Sequence, residues 1–439
     1  MSKPLKFLIL LAFGVTVLSS CLTTNQSYDR LMPGMWRGEL FLDENNPLSR
    51  NISKVGNDQD ISFKNAFTEG VLPFNFEVTY DDKDSMTIDL INGDERVRAE
   101  EILYGWDKRI AKDTVRINFI AFDTYIHADV EDGIMTGAWY NPRKGWRIPF
   151  RGIAGKAHRF TLLKDVPKSD ISGKWLTVFK SGEDADTAIG QFTTRANHLT
   201  GTFASPTGDY GFLEGTVQGD RIFMSNFDGG HAYLVSGKIM DDTHLEGTFM
   251  SGKTGRATWA AVRDDNARLP DAASLVSART GNEVNFSFPD HEGRLVSLKD
   301  PQFAGKAKVI TLMGTWCPNC KDESRFLVDY LRAHPNKDLA VIALSFEAYD
   351  DTSKVRSLLT NYKRVMELPY PVLWAGKVGK DAASKVPFIT EIRAYPTMIF
   401  LDKNDRIVSI HTGFSGPATK EYAAFKQEFA HRIEQLTRS

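Results

Sequence analysis

Thr315-Trp316-Cys317-Pro318-Asn319-Cys320 decides the reading of this chain. The hexapeptide follows a short apolar run, Lys308 to Met313, which reads as a buried strand. It opens Pro318 to His334, where Phe326, Leu327, Tyr330 and Leu331 recur at helical spacing until Pro335. Proline is tolerated in a first helical turn, where its missing N–H has no partner to lose. Cys317 therefore stands at a helix start, where unpaired N–H groups and the positive dipole end favour a thiolate. That lowers a cysteine pKa and makes it a nucleophile. Cys320, three residues on, shares the helical face and can resolve a mixed disulfide.

The cysteine count agrees. The chain has three cysteines, and the third, Cys21, ends an amino-terminal apolar run. A disulfide across two residues closes almost no loop, so it adds little stability through chain entropy. A structural zinc takes four ligands as a rule, and no second cysteine pair exists. The expectation is a redox-active Cys317–Cys320 disulfide, with no metal and no other cofactor.

Outward from the motif, strands and helices alternate. Leu339 to Phe346 reads as a strand, Asp351 to Met366 as a helix and Pro371 to Trp374 as a short edge strand. Thr397 to Leu401 and Arg406 to His411 flank the turn Lys403-Asn404-Asp405 as a hairpin, and Thr419 to Leu436 closes the chain as a helix. Tyr395-Pro396-Thr397 precedes the apolar strand Met398 to Leu401, so its proline begins the strand or lies at an edge.

Together, Trp316-Cys317-Pro318-Asn319-Cys320 and Tyr395-Pro396-Thr397 resemble the TlpA/ResA-like branch of the thioredoxin superfamily. Asn285 to Asp290, Gly293 and Val296-Ser297-Leu298 resemble its opening hairpin, and Glu323 its acidic residue after the second cysteine. The resemblance covers roughly residues 283 to 437. It implies an α/β thioredoxin-like domain whose second proline, Pro396, is cis and faces the disulfide. Trp316, Pro318, Tyr395, Pro396 and Thr397 then support the site or bind a client. It also implies a thiol–disulfide oxidoreductase, more a reductase than an oxidant. Its clients are exported proteins with disulfides or dithiols, apocytochromes among them, and its electrons come from a DsbD/CcdA-like membrane transporter.

Two positions depart from the pattern. Thr311 stands where thioredoxin has a buried aspartate, leaving Glu323 as the proton-transfer group if burial raises its pKa. Ser324 stands where the family often has proline. The neighbouring peroxiredoxins carry threonine or serine three residues before their reactive cysteine; Gly314 is there instead, which leaves peroxidase activity as a minor alternative.

Residues from about 30 to 265 read as all-β, short alternating stretches broken by turns such as Asp132-Gly133 and Gln218-Gly219-Asp220. Two related barrel- or sandwich-like units are expected, 30–155 and 165–265. Each opens with Gly-X-Trp, at Gly34-Met35-Trp36 and Gly173-Lys174-Trp175. Arg116 to Trp146 resembles Arg221 to Trp259. The tryptophans Trp36, Trp139, Trp146, Trp175 and Trp259 either pack the cores or line a pocket, and the pocket would make this a binding lipoprotein. Residues 266–282, polar with small residues, read as a linker to the multidomain chain's last domain, 283–439.

At the amino terminus, Lys3 and Lys6 precede the apolar run Phe7 to Leu18, too short for an ordinary membrane-spanning helix. Leu18-Ser19-Ser20-Cys21 resembles a bacterial lipoprotein signal, which implies removal of what precedes Cys21 and its lipidation. The expected location is the periplasm or cell envelope, tethered to a membrane by the lipid. A formal net charge of −2 argues against a nucleic-acid partner.

Overall fold

Both Gly-X-Trp tripeptides open the first strand of a β unit, and the backbone explains the glycine. Gly34 and Gly173 have φ of +104° and +126°, values open to glycine and rarely to residues with a Cβ. Two residues on, Trp36 and Trp175 are buried in their units. The computed structural model describes residues 30–43, 61, 66, 69–279 and 283–438. Cys21 and its preceding signal lie outside the described residues.

In the first unit, strand Gly34–Phe41 pairs antiparallel with Val71–Tyr80 on one side and Trp146–Ala154 on the other. The other strands continue as meanders from these neighbours into a nine-stranded sheet. Its two edge strands, Glu95–Arg98 and Glu101–Asp107, are consecutive in the chain. The second unit repeats the order. Gly173–Ser181 pairs with Asp184–Arg195 and with Gly255–Arg263, and a further pairing of Asp184–Arg195 with His198–Ser205 closes a ring. In both units the first strand lies between the second and the last. The resembling stretches fall on corresponding strands, Lys112–Phe119 with Arg221–Phe227 and Ile134–Asn141 with His244–Ser251.

The two units are not separate bodies. Phe227 of the second is fully buried against Phe74, Trp139 and Phe119 of the first, with ring centroids 4.5, 5.2 and 5.8 Å apart. Asn92 Nδ2 donates to Phe227 O at 3.0 Å and Trp139 Nε1 to Gly229 O at 3.0 Å. Arg159, also buried, reaches Ser225 O at 2.9 Å and Glu214 Oε2 at 2.9 Å. Burying a guanidinium is expensive unless it is paired and hydrogen-bonded, as it is here. Trp36, Trp139 and Trp175 are buried in cores; Trp259, 2% exposed, also lines an open apolar cavity of about 1130 Å³ with Leu176, Val178 and Leu245, and Trp146 is half-buried.

The carboxy-terminal domain has a sheet of five strands: β1 (Ala307–Met313), β2 (Leu339–Glu347), β3 (Val372–Lys377), β4 (Thr397–Leu401) and β5 (Ile407–Thr412). Their order is β3-β2-β1-β4-β5. β1, β2 and β3 run parallel, and β4 and β5 are antiparallel. Helices α1 (Pro318–Ala333), α2 (Thr352–Val365) and α3 (Tyr422–Arg438) complete it. The central strand β1 is buried along its whole length, as a strand covered on both faces must be. The opening hairpin, Ser287–Pro289 with Leu295–Ser297, is present. α1 runs unbroken through Ser324, whose Oγ meets Tyr362 Oη at 3.0 Å.

The stretch read as a linker is partly built into this domain. Val276 is in its core, Ala278 bridges Ile389, and Arg279 N donates to Phe388 O at 3.0 Å. The described residues from Pro33 onward form one compact body. No helix of the described residues is long and apolar enough to cross a membrane.

Candidate active site

Cys317 is the N-cap residue of α1 and Pro318 its first helical residue, as the motif predicts. Cys317 and Cys320 form a disulfide with Cα atoms 5.2 Å apart. Cys317 Sγ accepts from Cys320 N at 3.2 Å, the N-cap position that favours negative charge on the sulfur once the bond is reduced. The peptide Tyr395–Pro396 is cis, and Tyr395 O lies 3.4 Å from Cys317 Sγ. Two segments far apart in sequence thus meet at one sulfur, through the pairing of β1 with β4.

Trp316 is held by its indole N–H, which donates to Phe346 O at 2.9 Å. Its ring lies edge-on to Tyr395 at 5.6 Å. Thr397 is placed differently from a groove-lining residue: it is fully buried, and its hydroxyl donates to Ala394 O at 2.9 Å. Pro396 O accepts from Gly413 N at 2.9 Å.

Glu323 is 0% exposed. One carboxylate oxygen accepts from the Thr311 hydroxyl, and the other has no hydrogen-bond partner. Burial pushes its pKa up to about 8, against the smaller lowering effect of Thr311. It is therefore not a solvated surface carboxylate. Thr311, at the place of thioredoxin's buried aspartate, donates its hydroxyl proton to Glu323.

Sequence reasoning missed three residues around the motif. Glu347, at the end of β2, accepts from Thr315 N at 3.0 Å and Thr315 Oγ1 at 2.8 Å, and from the Ser345 hydroxyl. It clamps the loop before Cys317, and burial raises its pKa. A glutamate at a strand end carries no signal of that role in the sequence. Arg143 comes from the first β unit. Asn141 Oδ1 caps its short turn by accepting from Lys144 N, and the Arg143 guanidinium lies 5.5 Å from the Trp316 ring. Asn319, inside the motif, turns to the second β unit and accepts from Asp209 N at 3.4 Å.

The outer face of α1 is covered as well. Lys321 is buried, with Phe122 under its ammonium at 4.3 Å and Glu100 at 3.8 Å. Burial lowers its pKa, and Glu100 opposes that. Burial and the Glu95 carboxylate raise Asp322 well above the usual range. Lys321, Asp322, Glu95 and Phe122 border a cavity of about 30 Å³ with Asp228, Tyr233 and Pro318.

Residues 281–410 match the model of the AhpC/TSA family. Thiol-disulfide oxidoreductase ResA of Bacillus cereus is 26% identical over 137 residues, 31% of this chain and 69% of that protein. ResA of Halalkalibacterium halodurans is 27% identical over 137 residues, 31% of this chain and 70% of that one. Among solved structures, a thiol:disulfide interchange protein of the thioredoxin family from Chlorobium tepidum aligns at 18% identity and a TM-score of 0.27, over 37% of this chain and 99% of that one. A thiol-disulfide oxidoreductase from Bacteroides fragilis aligns at 16% identity and a TM-score of 0.27, over 34% and 98%. The β-rich residues before 281 lie outside the family match. With a Cys-X-X-Cys disulfide at the helix start and ResA relatives over the same third of the chain, the carboxy-terminal domain is a thiol–disulfide oxidoreductase of the thioredoxin-like, ResA-resembling kind.

Proposed function

We propose that the chain is a reductase of protein disulfides in the cell envelope, held to a membrane by lipid at Cys21. The observation that carries the redox reading is Cys317 at the amino end of α1, bonded to Cys320, with buried Glu323 one turn further on. In the reduced protein the Cys317 thiolate attacks a client disulfide. One client sulfur leaves as a thiolate and takes a proton, and a mixed disulfide joins Cys317 to the other. Cys320 then gives up its proton and attacks Cys317 Sγ, which releases the second client thiol. Two electrons pass to the client and the Cys317–Cys320 bond reforms. Glu323, with its raised pKa, is the group placed to exchange the Cys320 proton near neutral pH.

No cofactor besides the disulfide enters this cycle. Each turnover leaves the protein oxidised, so a reductase in an oxidising compartment needs a membrane electron donor, of the DsbD/CcdA kind. Exported proteins are its clients and nucleic acid is not a partner. The reading is tested by insulin reduction with the full chain: activity is expected, and its loss in Cys317→Ser. A native chain that reduces neither insulin nor glutathione disulfide refutes it. The lipid anchor is tested by mass spectrometry of the amino terminus from native membranes. An acylated Cys21 is expected, and a free, unacylated terminus beyond residue 21 refutes it.

A further inference from the structure

The disulfide is buried, and turns of the chain's own β units pack around the motif that holds it. Cys317 is 3% exposed and Cys320 0%, and Pro396 is buried too. A thiol that exchanges with a protein client must meet that client's sulfur in line, so such coverage decides which clients can reach it.

Turns from both β units make the cover. The turn Ile120–Phe122 of the first unit packs on the redox domain, with Ala121 inside its core cluster. Beside it Asp123 pairs with Lys354 Nζ at 2.7 Å and accepts from Tyr349 Oη at 3.4 Å. Arg143 lies over Trp316. From the second unit, the turn Ser205 to Asp209 reaches the side of the site that Pro396 occupies. A Cβ on Gly413 would stand 2.9 Å from Pro206 O, and one on Gly208 would strike the Asn319 amide at 2.1 Å. Asp209 Oδ2 accepts from Gly416 N at 2.8 Å. Further out, Gln191 Nε2 donates to Glu421 at 2.6 Å and Gln191 Oε1 accepts from Lys420 N at 2.8 Å.

The turn at Pro206 to Gly208 therefore sits against Gly413, which is itself bonded to Pro396 O. Apart from the apolar packing of Ile120–Phe122, these contacts are polar and local to a few turns. Interfaces of that kind inside one chain open more readily than large apolar ones.

We propose that the β units are a steric gate over the Cys317–Cys320 pair, with Arg143 and the turn Pro206-Thr207-Gly208 as the specificity-determining elements. With the gate docked, the pair exchanges with small disulfides, and folded proteins reach it only when the docking contacts break. The inference rests on the exchange reaction proposed above and adds its substrate selection.

The test uses the reduced full chain in single-turnover oxidation by glutathione disulfide and by insulin, in native form and as Asp123→Asn/Gln191→Ala. Both substitutions lie on the β side. The insulin rate is expected to rise about tenfold in the variant, the effect of about 1.4 kcal/mol of lost docking energy, while the glutathione rate changes less than the insulin rate. An unchanged ratio of the two rates in a folded variant overturns the gate and leaves the exchange reaction standing. Oxidation by neither disulfide overturns both. A second measurement needs no variant: the reduced native chain is alkylated by N-ethylmaleimide or by a polyethylene-glycol maleimide, with a small thiol as reference. The polymer reagent is expected to be disproportionately slow at Cys317. Equal relative rates overturn the gate.

Discussion

The Thr311 hydroxyl, in the central strand of the redox sheet, donates to the carboxylate of Glu323 on α1, and both residues are buried. The bond ties the strand before the cysteines to the helix that carries them. It also leaves Glu323 with one unpartnered oxygen in an apolar setting, the condition that raises a carboxyl pKa.

Glu323→Gln should change the pH dependence of both exchange and stability. The folded protein holds a proton on Glu323 up to about pH 8, whereas an ordinary glutamate releases it near 4.5. Folding is therefore favoured below pH 4.5, weakens as pH rises through that window, and levels off above 8. Each unit of difference is worth about 1.4 kcal/mol. Glutamine has no proton to lose, so the variant's melting temperature should gain on the native protein from pH 5 to pH 8. Its client-reduction rate should lose the step near pH 8. Parallel melting and rate profiles for the two proteins would return Glu323 to a purely structural place.

The cysteines should divide the work by position. Cys317 caps the helix and its sulfur accepts the Cys320 amide, whereas Cys320 lies within the first turn and is fully buried. Cys320→Ser should trap mixed disulfides through Cys317, and Cys317→Ser should abolish reduction and trapping alike. Mass spectrometry of the adducts would identify the clients. Trapping only in the Cys317 variant would reverse the assignment.

Phe227→Ala should destabilise both β units together. The ring fills the space among Phe74, Phe119 and Trp139. Removing a buried phenyl typically costs about 3–5 kcal/mol. Denaturant unfolding followed by tryptophan fluorescence should show one shifted transition for the joined β units. A shift confined to a small subset of the signal would mean the units unfold separately.

Glu347→Ala should slow exchange more than it lowers stability. It removes the acceptor for Thr315 N and Oγ1, the anchors of the loop leading into Cys317. Losing it leaves a buried amide and hydroxyl unpaired, at about 1–3 kcal/mol each if no water replaces it. Single-turnover reduction of glutathione disulfide, compared with thermal melts, separates the two effects. An unchanged rate would show that the loop is held without the clamp.

The sequence by itself determined the redox domain. Helical spacing after Pro318, the apolar runs of β1 and β2, and the hairpin around Asn404 are local patterns, so each element lies within a few residues of its predicted bounds. The paired Gly-X-Trp openings were legible for the same reason, since a positive φ two residues before a buried tryptophan calls for glycine. The tertiary structure decided what depends on distant segments meeting. Glu323 is buried because Thr311 and the domain core surround it, which spacing along α1 does not reveal. Glu347 reaches Thr315 because β2 runs parallel to β1. Phe227 joins the β units, and Asp123, Arg143 and Asp209 lie over the redox domain, because turns with no composition of their own meet only when the whole chain is packed.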